Sequence, residues 1–167
     1  MTDKQIKDVL DDIVIIVDTR EKKNGHILKY LDDNGIKYIV DKLDSGDYSI
    51  MLPNYSELGL DRKFLVEKKN SLDEISQNFT KHRSRFAREF ERAKPKTIHI
   101  VIENATWRKL LNGSYRSKFS PKSFMASLLT WCIRYRSPVW FVTPKDSPEV
   151  IYHILYYELY EYLKQNR

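Results

Sequence analysis

The chain has 167 residues and a net charge of +6 at neutral pH, a length that suits a single domain with one hydrophobic core. Its single cysteine, Cys132, excludes an internal disulfide and a thiolate zinc cluster, and no apolar run approaches the ~20 residues that cross a bilayer. We therefore expect a soluble protein of a reducing cytoplasm, with a charge that suits polyanionic partners and no membrane association.

The hydrophobic pattern alternates between helix and strand along the whole chain. Apolar runs predict strands at 13–18, 36–41, 47–52, 60–68, 97–103 and 139–143. Start and stop signals predict a short leading helix, a helix from 25 to about 34, a helix from 71, a basic helical segment ending before Pro95, and helices from 120 and 147. This order predicts one α/β domain, residues 1–167, with helices flanking a central mixed β-sheet.

Two acids and a lysine lie at strand ends in the middle of the chain. Asp47 opens one predicted strand, and Glu67 and Lys69 lie at the end of the next. Residues two apart in a strand project to the same face, so Glu67 and Lys69 project together while Lys68 points away. Carboxylates suit Mg²⁺ or Mn²⁺, and a nearby lysine can stabilise charge on a phosphate or orient a water. The alternative is an ordinary solvated strand end.

Further charged residues surround this group in the sequence. Asp18, Arg20 and Glu21 follow the first buried strand, and ligands gather beyond the carboxyl ends of strands in open α/β sheets. A polar turn is the alternative there. Asp73 lies four residues after Lys69, in the first turn of a predicted helix, where a carboxylate also suits the helix dipole.

A cluster of cations follows the acids. Its members are Lys81, Arg83, Arg85, Arg88, Arg92 and Lys94. On a helix, spacings of three and four place Arg85, Arg88 and Arg92 on one stripe. Phe86 and Phe90 form another stripe, which we expect in the core. The arginine stripe is either a solvated face or a row of phosphate contacts.

The predicted helix from residue 147 is apolar on nearly all sides. Such a helix is buried either in its own core or in a partner, and a terminal helix of a small domain rarely achieves the first. We therefore predict a homodimer through this helix, together with the helix that carries Trp131.

The combination of these residues resembles the XPF-type (XPF/Hef-like) structure-specific nucleases of the restriction-endonuclease-like superfamily. In that family a strand ending in Asp-x-Arg-Glu precedes a Gly-Asp pair, then Glu-Arg-Lys, three residues and Asp. The matching positions here are Asp18, Arg20, Glu21, Gly46, Asp47, Glu67, Lys68, Lys69 and Asp73. Lys68 replaces the usual arginine, His82 stands where a glycine usually precedes an arginine, and the gap before Glu67 is longer than is common.

The resemblance implies a restriction-endonuclease-like core and metal-dependent endonucleolytic cleavage of branched or junction-containing DNA, in repair, recombination or replication of a phage or bacterium. Asp47 and Glu67 would hold Mg²⁺, with Mn²⁺ as a substitute and the carbonyl of Lys68 as a further candidate ligand, and Lys69 would be the catalytic lysine. Asp18, Arg20, Glu21 and Asp73 would support the site. DNA contacts would come from Lys68, Arg83, Arg85, Arg88 and Arg92.

The resemblance also bears on assembly and on competing functions. XPF-type nuclease domains look like dimers through their C-terminal helices, and family members often carry a helix-hairpin-helix domain that this sequence lacks. Junction specificity would then come from dimer geometry, the basic helix or a recruiting protein. Two alternatives stay open: a catalytically silent DNA-binding or scaffold subunit, which the joint presence of Asp47, Glu67 and Lys69 disfavours, and an RNA-processing nuclease on the same core.

Overall fold

A six-stranded mixed sheet forms the centre of the computed structural model, which describes residues 1–166. The strands are β1 (Val14–Val17), β2 (Tyr38–Val40), β3 (Tyr48–Met51), β4 (Leu65–Lys69), β5 (Ile98–Glu103) and β6 (Val139–Val142). The helices are α1 (Asp3–Leu10), α2 (Gly25–Asp33), α3 (Leu72–Phe79), α4 (Arg83–Ala93), α5 (Trp107–Leu111), α6 (Pro121–Tyr135) and α7 (Ser147–Gln165). The predicted α/β architecture, a mixed sheet flanked by helices, is confirmed.

The strand directions bring particular strand ends together. The order across the sheet is β2-β1-β3-β4-β5-β6, and only β3 runs against its neighbours. The amino end of β3 therefore lies at the same edge as the carboxyl ends of β1, β4 and β5. This edge is where the predicted acids and the lysine meet.

Helices cover both faces of the sheet and bury two apolar clusters. On one face, α1, α2 and α7 pack against the strands, and α7 buries Ile151, Leu155 and Leu159. On the other face, α3, α4 and α6 surround Trp131, whose ring stacks on Phe86 at a centroid distance of 5.0 Å. The premise that the terminal helix escapes the core is wrong, because one face of α7 is fully buried.

Several predicted boundaries are corrected by local backbone geometry. The strand expected from residue 60 begins at Leu65, because Arg62 adopts a left-handed conformation and its backbone N–H donates to the carbonyl of Ile50. The predicted helix from residue 71 is α3 and the predicted basic helical segment is α4, and between them the His82 N–H donates back to the Gln77 carbonyl. The short helix α5 was not predicted, since five residues show too little periodicity.

Two further expectations concern the Cys132 thiol and membrane-spanning helices. Burial raises the pKa of the partly buried Cys132 to about 11, which keeps the thiol protonated at neutral pH and suits the packing role expected for it. In the described part of the chain, no helix is both long enough and apolar enough to span a membrane.

Candidate active site

Asp47 reaches the site from a tight turn at Gly46. The φ angle of Gly46 is +76°, and a Cβ atom there would lie 3.2 Å from the carbonyl oxygen of Val66. Glycine is therefore required for both conformation and space. The backbone N–H of Asp47 donates to Val66 at 2.8 Å, and its carbonyl accepts from Asp18 at 2.8 Å. These bonds fix Asp47 between β1 and β4.

Glu67 and Lys69 project from β4 to the same side, as their spacing predicts. The Lys69 Nζ donates to the Glu67 Oε1 at 2.6 Å, and both residues are buried. Asp47 lines the same cleft, and its Oδ2 accepts from the backbone N–H of Lys68 at 2.8 Å. The cleft has a volume of about 230 Å³. The structure therefore brings together the two acids and the lysine that the sequence singled out.

The electrostatics of this group reflect like charges held in little solvent. Burial and the neighbouring negative charge of Glu67 raise the pKa of Asp47 well above its usual range. Burial also raises the pKa of Glu67, against the opposing charge of Lys69. For Lys69, burial alone would lower the pKa, but the charges of Glu67 and Asp47 outweigh it and raise the pKa. The ammonium of Lys69 therefore stays charged at neutral pH.

Asp18 positions Arg20, and both of its carboxylate oxygens already accept hydrogen bonds. It accepts from the Arg20 Nε at 2.7 Å, the Arg20 Nη2 at 3.1 Å and the Leu43 N–H at 2.6 Å. Burial would raise the pKa of Asp18, but its hydrogen bonds with Arg20 and Leu43 lower it. The exposed guanidinium of Arg20 is held at the cleft, which it lines. Asp18 thus fixes Arg20 at the cleft.

Lys68 lines the cleft, but its side chain projects to the other side of β4 from that of Glu67. Its Nζ donates to the Asn70 Oδ1 at 2.7 Å and the Lys23 carbonyl at 3.2 Å, and lies 3.8 Å from the Glu21 Oε2. The side chain is completely buried. The structure contradicts the predicted DNA contact by Lys68, because the amine has no exposed surface; it ties together the loops after β1 and β4. Glu21 also lines the cleft.

Asp73 lies outside the cleft. Its Oδ1 accepts from the backbone N–H groups of Arg116 at 2.8 Å and Ser117 at 2.7 Å. The carboxylate thus fixes the loop between α5 and α6. A direct part in the chemistry, which the resemblance implied, is not supported by this position.

The predicted arginines are exposed on α4, but they differ in position. Arg85 lines the cleft, which makes it the one best placed to reach a substrate phosphate. The Arg92 Nη2 donates to the Asp44 carbonyl at 3.1 Å, and the Arg83 Nη1 donates to the Phe79 carbonyl at 3.2 Å. Arg88 is exposed. The Phe86 and Phe90 stripe lies in the core, as expected.

Three cleft residues were not predicted: Asn70, Glu74 and Glu89. The Glu74 Oε2 accepts from the backbone N–H and side-chain amide of Asn70 at 2.7 and 2.8 Å, which fixes the turn after Lys69. The Glu89 Oε1 accepts from the Gly46 N–H at 3.1 Å and so anchors the turn before Asp47. The four-residue spacing of Glu74 from Asn70 offered a sequence signal, whereas the Glu89 contact arises only from tertiary packing.

Asp47 and Glu67 form the donor pair best suited to a divalent cation. Within residues 1–166, no three Asp, Glu, His or Cys side chains form a ready metal cluster. Mg²⁺ does not need one, since it commonly uses one or two carboxylates, several waters and a substrate phosphate. Burial raises the pKa of both Asp47 and Glu67, and two hard carboxylates in one cleft are donors of the kind that Mg²⁺ prefers, so the residues present fit such a cation.

Asp47→Asn is expected to stabilise the protein without metal at neutral pH, because it removes one of two crowded negative charges while its amide oxygen can still accept from Lys68. The folded-state pKa of Asp47 is raised, so the penalty builds as pH rises from the unfolded to the folded value and is absent at low pH. The gain in melting temperature should therefore vanish near pH 3. In a domain of this size, each kcal/mol of unfolding free energy changes the melting temperature by about 2–4 °C. Thermal unfolding by circular dichroism in EDTA measures it; a variant less stable at pH 8 than the wild type would contradict the assignment.

Comparison with known proteins agrees with this geometry. The ERCC4 domain family matches residues 17–154. Among solved structures, XPF from Aeropyrum pernix is similar with a TM-score of 0.62 and 19% identity, over 85% of this chain and 59% of that chain. XPF from Aeropyrum pernix in complex with DNA gives 0.59 and 19%, over 92% and 66%. This chain therefore spans less than two thirds of either structure's length. Comparison with curated protein sequences gives no significant match.

The structural likeness at this identity supports the fold, and the family match extends from the end of β1 into α7. Both agree with the resemblance to XPF-type nuclease domains, which is confirmed. The chain belongs to the ERCC4 domain family.

Proposed function

We propose that this chain is a metal-dependent endonuclease that cleaves phosphodiester bonds in branched or junction-containing DNA. The observation that carries the proposal is the contact of Lys69 with Glu67 beside Asp47, in a cleft also lined by Arg20 and Arg85. Membership of the ERCC4 domain family supports endonuclease chemistry, and the DNA complex of the Aeropyrum pernix XPF supports DNA as the substrate class. A setting in repair, recombination or replication of a phage or bacterium, in the cytoplasm, is part of the proposal.

Five cleft residues have a proposed role in phosphodiester hydrolysis. Asp47 and Glu67 would hold Mg²⁺ or Mn²⁺, which when bound supplies Lewis-acid stabilisation of the charge on the phosphoryl oxygens. Lys69 acts as a cation and hydrogen-bond donor toward phosphate or the attacking water, because its raised pKa leaves it a poor base. Arg20, fixed by Asp18, and Arg85 supply positive charge for the flanking phosphates.

The same geometry disfavours a catalytically silent subunit. Burying two neighbouring carboxylates costs stability, and a protein that only bound DNA would lose nothing by replacing one of them. Asp47 and Glu67 are nonetheless held in place by backbone hydrogen bonds and by Lys69. Such a destabilising arrangement is typical of a working active site.

A groove beside α7 supports the proposed homodimer. It has a volume of about 590 Å³ and is lined by α7, by β6 and by His99 of β5. Its apolar surface comes from Trp140, Val150, Ile154 and Tyr157, and its lining also includes Glu149, Glu158 and Glu161. Trp140 and Tyr157 are exposed, and β6 is an unpaired edge of the described sheet. Large aromatic side chains are enriched at protein interfaces, and an open edge strand is normally covered. A second copy of the chain is the proposed occupant, and a recruiting protein is the competing one.

The catalytic assignment predicts loss of cleavage without loss of binding. Asp47→Asn, Glu67→Gln and Lys69→Ala should each lower kcat by about 100-fold or more, because the first two weaken the proposed cation site and the third removes a positive charge that stabilises the transition state. Cleavage of flap, fork and four-way-junction DNA with Mg²⁺, Mn²⁺ or EDTA measures this, and electrophoretic binding in EDTA tests retention of affinity.

Asp32→Asn, which changes an exposed acid on α2, is the matched control and should cut normally. Full cleavage by the Lys69 variant, or undiminished cleavage in EDTA, would contradict the assignment. Preferential cleavage of RNA of the same structures would favour the RNA-processing alternative.

Arg85→Ala should weaken DNA binding and lower the slope of log affinity against log salt by about 1, the effect of one lost phosphate contact. Lys4→Ala removes the same charge from α1, on the opposite face of the sheet, and should leave the slope unchanged. Fluorescence anisotropy between 50 and 200 mM salt, roughly the range over which such contacts are resolved, provides the measurement. Equal slopes for the wild type and the Arg85 variant would remove Arg85 from the DNA-binding surface.

Tyr157→Asp should convert the homodimer to a monomer, because it places a charge in the apolar groove. Truncation of α7 is unsuitable as a test, since Ile151, Leu155 and Leu159 belong to the core. Val40→Asp is the control, an exposed apolar residue on β2 at the other edge of the sheet. Sedimentation equilibrium at micromolar concentration distinguishes the states; a monomeric wild type would refute the homodimer.

A further inference from the structure

Trp107 is a large apolar side chain that the proposed chemistry does not use. It begins the short helix α5 and is 40% exposed. Isolated surface apolar residues are common and need no explanation. Trp107 differs from that background in its position, its support and its charged neighbours.

The loop that carries Trp107 is joined directly to the active-site cleft. Asn104, which follows β5 in a left-handed conformation, donates from its side-chain Nδ2 to the Asn70 carbonyl at 3.1 Å. Asn70 follows Lys69 and lines the cleft. The carboxyl ends of β4 and β5 lie side by side in parallel, with Lys69 opposite Ile102. Trp107 therefore stands at the sheet edge that holds the cleft, on the β5 side.

The opposite side of the cleft belongs to α4. Arg85 and Glu89 line the cleft from this helix, and Glu89 holds the turn before β3. In the order of the sheet, β3 and β5 lie on either side of β4. A strand of DNA that passed from Arg85 across Lys69 would next meet the loop between β5 and α5. Glu89 thus places α4 on the β3 side of β4, whereas Trp107 follows β5 on the other side.

The indole of Trp107 packs against another aromatic ring. Its ring meets the ring of Phe141 edge to face, with centroids 4.8 Å apart and an interplanar angle of 81°. Thr106 caps α5 by accepting from the Lys109 N–H at 3.1 Å, and the Lys109 Nζ donates to the Asn104 carbonyl at 3.0 Å. The loop is therefore cross-linked by its own hydrogen bonds. A side chain held in this way loses little freedom when a flat ligand packs on it.

The charge around Trp107 is positive. Arg108 is exposed next to it, and no acidic side chain among residues 1–166 forms an ion pair with Arg108. An exposed indole beside an unpaired guanidinium suits a ligand that combines an aromatic ring with a negative charge. A nucleotide has both. In duplex DNA the faces of the bases are already stacked on one another, so only an unpaired base can offer a face to a tryptophan.

We infer that Trp107 is a stacking platform for an unpaired base of the single-stranded segment beside the scissile bond, with Arg108 on the adjacent phosphate. This inference rests on the proposed nuclease function and names the feature of branched DNA that the chain recognises. Unpaired bases occur at flaps, forks and junctions and are absent from intact duplex. Trp107 would thereby favour branched substrates over duplex.

The test uses DNA binding by the full chain with Ca²⁺ in place of Mg²⁺. One probe is a duplex with a single-stranded flap that carries 2-aminopurine next to the branch, and the other is the same duplex without the flap. Trp107→Ala should weaken binding of the flap probe by roughly 5- to 100-fold, the range for loss of one stacked base, and change duplex binding less than about two-fold. Stacking on Trp107 should also quench the fluorescence of 2-aminopurine. Trp107→Phe should keep most of the affinity and of the quenching that Trp107→Ala loses.

Leu111→Ala is the control, because Leu111 is 48% exposed on the same helix but has no ring to stack. Equal weakening by the Leu111 and Trp107 variants would show that any apolar side chain on α5 serves equally well, and would overturn the stacking role. Equal loss of flap and duplex binding in Trp107→Ala would overturn it too. If the wild type cuts flaps and Trp107→Ala binds them normally, stacking fails and the nuclease stands; if the wild type neither binds nor cuts DNA, the proposed function itself fails.

Discussion

The enclosure of Asp47 and Glu67 in one small cleft, with the Lys69 ammonium as the nearest compensating charge, is the constraint around which the rest of the site is arranged. Burial raises the pKa of both acids, and the negative charge of Glu67 raises the pKa of Asp47 further. The surrounding backbone holds them there despite the cost in free energy. In the proposed function, a bound cation and a substrate phosphate would offset this cost.

The mixed sheet explains how these residues meet. Asp47 precedes a strand, whereas Glu67 and Lys69 end one, so in an all-parallel sheet they would lie at opposite edges. The reversed direction of β3 puts its start beside the ends of β1 and β4. Gly46 allows the tight approach, and hydrogen bonds from Asp47 to both flanking strands fix its position. The loops after β4 and β5 and the helix α4 then surround this edge with cations and, in Trp107, an aromatic surface.

The sequence was most informative where local geometry decides the outcome. The period of a strand correctly placed Glu67 and Lys69 on one side and Lys68 on the other, but it did not reveal that Lys68 is buried among Glu21, Lys23 and Asn70. The strand period also could not predict contacts between segments that are far apart in the sequence, such as those of Asp73 and Glu89. The final helix was misjudged because its apolar surface is divided between the core and the exposed groove, and sequence periodicity does not show that division.

The central claim is that Asp47 and Glu67 form a cation site, and metal-dependent thermal stability tests it without DNA or turnover. With Mn²⁺ at ~100-fold above its dissociation constant, the wild-type melting temperature should rise by about 5 °C or more. The doubly substituted Asp47→Asn, Glu67→Gln protein should show no metal-dependent rise. Equal rises in the two proteins, or no response in the wild type, would contradict the account.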